Sequence, residues 1–244
     1  MTRQRLDELL VQRGLYTSRS RARDAIARGT VTVDGVVAAK PAQNTSLEAR
    51  IEILDEARAY VSRSALKLKS GISFFKISVK DLNCLDIGAS TGGFTQVLLE
   101  QGADHVTAID VGHGQFDASL KNDPRVTSIE GLNARDLTAA HLRHKVDLIV
   151  CDVSFISLKL ALAAALALVG SGTKLLALIK PQFEVGREAV GRGGIVRDPQ
   201  DHERVCKEIS EYLTAAGWQV IGISLSSLEG GDGNREFLIA ARKL

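Results

Sequence analysis

The 244-residue chain contains three cysteines, four prolines, one tryptophan, one methionine and only 5% aromatic residues. Each scarcity closes off a class of protein. Cys84, Cys151 and Cys206 are odd in number and widely spaced, so neither a disulfide framework nor a CxxC-type zinc cluster is expected; they read as reduced core residues. The five histidines show no HxH or HxxxH spacing, so no metal site is predicted. The most apolar later stretch, Leu158 to Val169, is too short to span a bilayer, and the opening MTRQRLDELLVQRG contains no apolar run of the kind that directs secretion. A cytoplasmic protein without membrane contact is expected.

What is present is a globular composition, 45% hydrophobic and 25% charged, enough for one good core plus a small extra domain. The net charge of +2 conceals an asymmetry. Residues 1–30 carry seven arginines, no lysine and three acids, so the excess of positive charge is concentrated there. Arginine suits bidentate phosphate contact, although a solvated helix face is an equally good reading of charge alone.

Leu6, Leu9 and Leu10 fall at helical spacing before Gly14, a natural stop. A second helix follows, with Thr17 or Ser18 as N-cap and Ala22, Ala25 and Ile26 as its apolar stripe, and it ends at Gly29. Val31-Thr32-Val33 and Val36-Val37 flank Asp34-Gly35, a strong hairpin signal, and Glu48 to Ile53 reads as a last strand. The polar stretch Asp55 to Tyr60 reads as a linker.

From Leu82 onward, candidate strands Cys84–Ile87, Val106–Asp110, Val126–Ile129, Val146–Asp152, Lys174–Lys180, Gln219–Leu225 and Glu236–Ala241 alternate with helical patterns such as Gly93–Gln101, Leu158–Leu168 and Asp201–Ala216. The alternation predicts an α/β fold with a parallel, doubly wound sheet of seven strands. Only the glycine-rich turn Gly230–Gly233 separates the last two strands, so the final strand is predicted antiparallel and at or near the edge.

Leu85 to Phe94, LDIGASTGGF, runs from a strand through a glycine-rich turn into a helix, where doubly wound folds bind ligands. Asp86 is expected to meet a cationic amine, and Gly88, Gly92 and Gly93 to let backbone approach the ligand. Asp110 ends the next strand, placed to accept both hydroxyls of an adenosine ribose. A dinucleotide-binding protein would share Asp110, but the first loop departs from GxGxxG spacing. Asn133 and Arg135, after the third strand, fit a position near an adenine or an ordinary capped loop.

Asp152 and Lys180 end adjacent candidate strands on the rim that carries this loop. A carboxylate and a lysine there can converge on one acceptor oxygen, the lysine serving as base if its pKa is depressed. Each residue also has an ordinary reading: Lys67 as a surface lysine, Asp152 with Lys180 as a structural ion pair, Glu236 as an edge-strand charge. Gly186 to Pro199, with Arg187, Arg192 and Arg197, reads as a flap over RNA or as a plain solvent loop.

Two resemblances add to these readings. RLDELLVQRGLYTSRSRARDAIARGTVTVDGVV resembles the S-four-type RNA-binding domain, which implies that Arg5, Arg19, Arg21, Arg23 and Arg28 face RNA phosphates. SRSALKL, DIGASTGGF, CDVSFIS, IKPQFE, GGIVRDP and GNREF together resemble the TlyA or hemolysin A family, whose catalytic domain is similar to FtsJ-type ribosomal RNA methyltransferases.

The likeness implies a Rossmann-like class I methyltransferase domain over 62–244, an RNA-binding α+β domain over 1–56 and a linker at 57–61. It implies S-adenosylmethionine as cofactor, held by Asp86, Gly88, Ser90, Thr91, Gly92, Gly93, Phe94, Asp110, Asn133 and Asp152. It implies a tetrad of Lys67, Asp152, Lys180 and Glu236 with Lys180 as base, in a metal-free ribose 2′-O-methylation of ribosomal RNA at cytidine. Ribosomal RNA or ribosomal subunits are the expected partners of a monomer or weak dimer. A non-catalytic ribosome-assembly factor is the competing reading. A membrane-active hemolysin would need an amphipathic cationic helix with aromatic anchors, and the sequence has none.

Overall fold

The computed structural model describes residues 2–231 and 233–244, Arg187 in its backbone alone. The chain divides into two compact units, one ending at Ala59 and the other running from Tyr60 to Leu244.

In the first unit, strand β1 (Arg3–Arg5) leads into helices α1 (Leu6–Gln12) and α2 (Arg19–Ala27), followed by β2 (Val31–Val33), β3 (Val36–Val37), β4 (Asn44–Ser46) and β5 (Ile51–Ile53). Ser18 is the N-cap of α2, its hydroxyl accepting from the Arg21 amide. Asp34 and Gly35 both take positive φ, 51° and 82°, as a two-residue hairpin with the twist of its strands requires. β2 pairs antiparallel with β3 and β5, while β1 pairs with β4 in a separate ribbon that the sequence reading did not anticipate. Leu6, Leu10, Ala22, Ala25, Ile26 and Val31 form its core.

Arginines also hold this unit together. Asp7 is buried and receives both Arg5 and Arg19, each at 3.1 Å. Arg28 reaches Asp24 at 2.9 Å and Asp55 at 2.8 Å, and the Asp55 carboxylate also accepts from Tyr16. Arg21 donates to the Ala57 carbonyl. So four of the five arginines expected to face phosphate make contacts inside the unit, and Arg28 is largely covered. Nearby carboxylates outcompete solvent for them. Arg23 is exposed with no ion-pair partner among the described residues. Asp55, which opens the stretch read as a polar linker, is an internal carboxylate with a side chain 1% exposed.

The second unit comprises α3 (Ala65–Phe74), β6 (Asn83–Ile87), α4 (Gly93–Glu100), β7 (His105–Asp110), α5 (Ala118–Lys121), β8 (Val126–Glu130), β9 (Leu148–Cys151), α6 (Leu158–Leu168), β10 (Lys174–Ile179), α7 (Pro199–Ala215), β11 (Trp218–Leu225) and β12 (Phe237–Lys243). Seven strands form one sheet in the order β11-β12-β10-β9-β6-β7-β8. The five from β10 to β8 are mutually parallel, and β12 is antiparallel to both neighbours. The predicted antiparallel final strand is therefore found, one place in from the edge, with β11 outside it.

Strands buried on both faces read as continuous apolar runs, yet their side chains still alternate. Cys84, Leu148, Val150, Leu176 and Leu178 pack with Leu68, Ile72, Val97 and Leu98 on one face. Leu85, Ile87, Ile149, Leu175 and Ala177 pack with Leu162, Val205, Ile209 and Leu213 on the other. The strand order reverses between β6 and β9, so the carboxyl ends of these two open the crevice where such sheets bind ligands. Among the described residues no helix is long and apolar enough to cross a membrane.

Burial pushes the Asp55 carboxyl up in pKa, but Arg28 and the Tyr16 hydroxyl together hold it below its ordinary value. The stability this contributes is present above the ordinary carboxylate range and lost as pH falls through the lowered folded value. Asp55→Ala, which leaves the covered Arg28 with Asp24 as its remaining carboxylate, should destabilise the first unit by roughly 2 kcal/mol. Denaturant unfolding at neutral pH measures this; a change within error would mean that Asp24 and water satisfy Arg28 without Asp55.

Candidate active site

The loop after β6 is built around the strand beside it. Gly88 has φ 82°, and a Cβ there would lie 2.5 Å from the Asp152 carbonyl oxygen. A Cβ on Gly92 would strike the Leu120 side chain, and one on Gly93 the Ser62 and Ser64 side chains. These glycines thus admit the protein's own neighbours, and Gly88 in addition borders the cleft described below. Thr91 sits with them in the turn, its carbonyl accepting from the Asp117 amide. Asp86 is also repositioned: it is fully buried beneath the loop, with Oδ2 accepting from Thr95 Oγ1 at 2.7 Å and Oδ1 without a partner. Its side chain shares the β6 face of Cys84, toward α4, and does not line the crevice. Burial drives its pKa up to about 7, the Thr95 hydrogen bond opposes this, and the charge of Asp152 reinforces it.

A cleft of about 710 Å³ opens at the switch point, with Gly88, Ser90, Asp110, Asn133, Arg135 and Asp152 among its walls. Asp110 accepts from the backbone amides of Ser90 and Gly112, each at 2.7 Å. Asn133 caps a short turn by accepting from the Arg135 amide. Phe94 lines a smaller cavity of about 170 Å³ with Ser62, Ser64, Gly88, Ser90, Asp152, Ser154 and Lys180. A third, about 370 Å³, is bounded by Lys67, Ser154, Phe155, Lys180, Phe183 and Glu236. Asp152 and Ser154 connect the first two cavities; Ser154 and Lys180 connect the second and third.

The four expected tetrad residues meet around these cavities as two ion pairs, Lys180 to Asp152 and Lys67 to Glu236, each at 2.6 Å. Lys67 is buried, not a surface lysine, and its partner is Glu236. Burial pulls the Lys180 pKa down, but the Asp152 charge and hydrogen bond, with Glu236, outweigh it and hold the value above that of an ordinary lysine. The depressed pKa expected from sequence is therefore reversed. Lys180 also donates to Ser154 Oγ at 3.0 Å.

Several side chains at the site escaped the sequence reading. Phe155 is 92% exposed, adopts φ 65° despite its bulk, and lies 5.2 Å from the Phe183 ring. A bulky residue held there is costly, and such outliers gather at functional sites. Glu184, beyond β10, accepts from Ser157 Oγ at 2.7 Å and from the Leu158 amide at 2.6 Å, capping α6 and tying the two loops together. Asn234 is buried and bonds the Gly194 carbonyl and the Val196 amide, fastening the glycine-rich segment to the turn before β12. In that segment the Arg187 side chain, and in the Gly230–Gly233 turn Asp232, lie outside the described residues. The signal for Ser154 and Phe155 was their place in CDVSFIS, and for Glu184 its place in IKPQFE.

A doubly wound sheet with an antiparallel penultimate strand, and two lysine–carboxylate pairs above its strand ends, has the build of a class I methyltransferase domain. Residues 60–243 match the FtsJ-like methyltransferase family, and residues 4–51 match the S4 domain. The chain therefore belongs to the FtsJ-like methyltransferases, and within them to the TlyA or hemolysin A group.

It is 45% identical to the 16S/23S rRNA (cytidine-2′-O)-methyltransferase TlyA of Mycobacterium tuberculosis, over 98% of this chain and 90% of that protein. It is 40% identical to Hemolysin A of Brachyspira hyodysenteriae, over 96% and 98%. A solved structure from Streptococcus thermophilus described as a hemolysin superposes with TM-score 0.78 at 38% identity, covering all of this chain and 89% of that one.

Removing the Glu184 cap should weaken the second unit. Glu184→Ala is expected to cost about 1 kcal/mol, and Glu184→Gln, which keeps an acceptor oxygen, distinctly less. Equal losses in denaturant titration would remove the capping role.

Proposed function

We propose that this chain transfers a methyl group from S-adenosylmethionine to a ribose 2′-hydroxyl of ribosomal RNA at cytidine, in the cytoplasm. The observation that carries this reading is the position of Lys180, whose ammonium group stands beside Asp152 where the two smaller cavities meet.

The large cleft fits the cofactor in size and chemistry. Its volume is in the range of small-molecule sites. Its walls are largely apolar, as an adenosyl group needs, with Asp110 at the end of β7 to receive ribose hydroxyls and Asn133 beyond β8 near the base. Asp152 faces the same cleft and the buried Asp86 lies beneath the loop, so negative charge surrounds the place where a net cation would sit. The hydroxyls of Ser62, Ser64 and Ser90 line the adjoining cavity and suit the amino-acid end. When bound, the cofactor supplies a methyl group on a positively charged sulfur, a good leaving group.

The chain then has to align the acceptor and take its proton. Lys180 is the base, and Asp152 holds it in place and stabilises the ammonium that forms. Glu236, fixed by Lys67, faces the third cavity, where it can accept a hydrogen bond from the acceptor ribose. Phe155 with Phe183 offers an exposed ring surface on which an unstacked base can lie. The S4 domain supplies the grip on RNA, with exposed cations that have no ion-pair partner among the described residues, Arg23 among them, and with Arg19, 52% exposed beside Asp7.

Lys180→Ala should abolish methyl transfer to ribosomal RNA in a single-turnover assay while leaving cofactor affinity within a few-fold. An active variant would remove Lys180 from the base role, and absence of saturable cofactor binding to the unaltered chain would favour the assembly-factor reading. A pH effect should accompany binding. Since a cation favours the ionised form of Asp86, cofactor affinity should rise by up to about tenfold between pH 6 and pH 8. Titration calorimetry measures this, and Asp86→Asn should flatten that part of the profile; an unchanged profile would sink the linkage.

A further inference from the structure

We propose that the Ser154 hydroxyl is a catalytic group of this site, carrying the acceptor's proton to Lys180. The inference rests on the methyl-transfer reading above. Ser154 lines all three cavities, the cofactor cleft, the junction and the acceptor cavity. Its side chain is exposed to them, whereas Lys180 is 9% exposed. Lys180 Nζ lies 2.6 Å from Asp152 on one side and 3.0 Å from Ser154 Oγ on the other. An acceptor hydroxyl entering from the third cavity therefore meets the serine oxygen as well as the lysine.

An exposed loop serine usually caps a turn or is solvated. Ser157, three residues on, does cap: its hydroxyl accepts from the Lys159 amide and donates to Glu184. Ser154 makes no such bond among the described residues; its one hydrogen-bond partner is Lys180. Nor is its place accidental, since the next residue, Phe155, takes a left-handed backbone conformation that fixes the course of the chain just beyond it.

The step balances as a two-proton shift. The step starts from the form in which Lys180 is a neutral amine, its proton passed to solvent, a form that Asp152 and Glu236 oppose at rest and that a cation in the adjoining cleft favours. The acceptor oxygen forms a bond to the methyl carbon as the carbon–sulfur bond breaks and its electron pair remains on sulfur. The acceptor's proton passes to Ser154 Oγ while the serine's own proton passes to Lys180 Nζ. The lysine ends as an ammonium ion held by Asp152, and the serine is regenerated. A hydroxyl can do this because it donates and accepts at once.

The test uses the full chain, S-adenosylmethionine with a labelled methyl group, and ribosomal RNA under single-turnover conditions in mixtures of light and heavy water. Ser154→Ala should slow transfer by at least tenfold and up to roughly a hundredfold, with cofactor and RNA dissociation constants within about threefold. Ser154→Thr, which keeps the hydroxyl, should recover most of the rate. The rate should depend on deuterium fraction quadratically for the unaltered chain and linearly for Ser154→Ala, where one proton moves.

A rate for Ser154→Ala within twofold of the unaltered chain, a loss seen only in binding, or a linear dependence in both proteins would overturn the relay. Should Ser154→Ala fail to bind cofactor, the threonine variant and the isotope dependence of the unaltered chain decide alone. If the unaltered chain transfers no methyl group to RNA, the methyl-transfer reading fails; if it does and Ser154→Ala keeps pace, only the relay fails.

Discussion

The Lys180–Asp152 ion pair, formed between the ends of two adjacent parallel strands, is the constraint on which the rest of the site depends. β9 and β10 pair with Ala177 opposite Cys151, and β6 and β9 with Ile87 opposite Cys151. Extending those registers puts Gly88 level with Asp152 and Lys180 level with Ser154. The carbonyl of Asp152 then crowds the start of the loop after β6, and a side chain at residue 88 has no room. Loop, acid and lysine are thus one geometric solution. A buried ion pair adds little net stability, because desolvation offsets most of its attraction, and breaking it is expensive. The stability of the sheet comes from the apolar layers on its two faces.

Charge bookkeeping around the crevice points the same way. Lys67 with Glu236 and Lys180 with Asp152 are neutral couples, so among the described residues nearby Asp110 and Asp86 are the carboxylates left without a cation, and the exposed Arg135 stands on the cleft wall. Two backbone amides partly satisfy Asp110, while Asp86 has only Thr95 and a bare Oδ1. A carboxylate left in that state raises its pKa to stay neutral, which the site tolerates until a cation arrives. In the proposed reading Asp86 would therefore act through the field beneath the loop, since its side chain is buried away from the cleft.

The fold was largely legible because its signals are local or periodic: glycine stops, the Asp-Gly hairpin and apolar strands alternating with helical patterns. β1 and β4 were invisible since three polar residues carry no strand period, and only their pairing with each other makes them strands. The two ion pairs joining residues 67 with 236 and 152 with 180 could be named from family likeness, but who pairs with whom is decided by packing. The arginines of the first unit show the same limit. Their number was plain, whereas Asp7 and Asp55, the groups that occupy them, lie buried where composition does not reach. Ser154 bonds Lys180 and Glu184 bonds two groups at the start of α6, and contacts this few leave no trace in spacing.

Under the proposed methyl transfer, the raised pKa of Lys180 bears on what the cofactor has to do. A resting lysine between Asp152 and Glu236 holds its proton firmly, which protects the site from acting before both substrates are present. For it to become a base, the anionic surroundings must be weakened. A net positive charge in the cleft bordered by Asp152 does so twice over, by repelling the ammonium and by competing for the carboxylate. Excluding water from the third cavity adds to the effect, because burial already pulls this lysine down. The ion pair that keeps Lys180 protonated at rest also links its release to occupancy of the neighbouring cleft, so proton affinity and cofactor binding are two readings of one electrostatic balance.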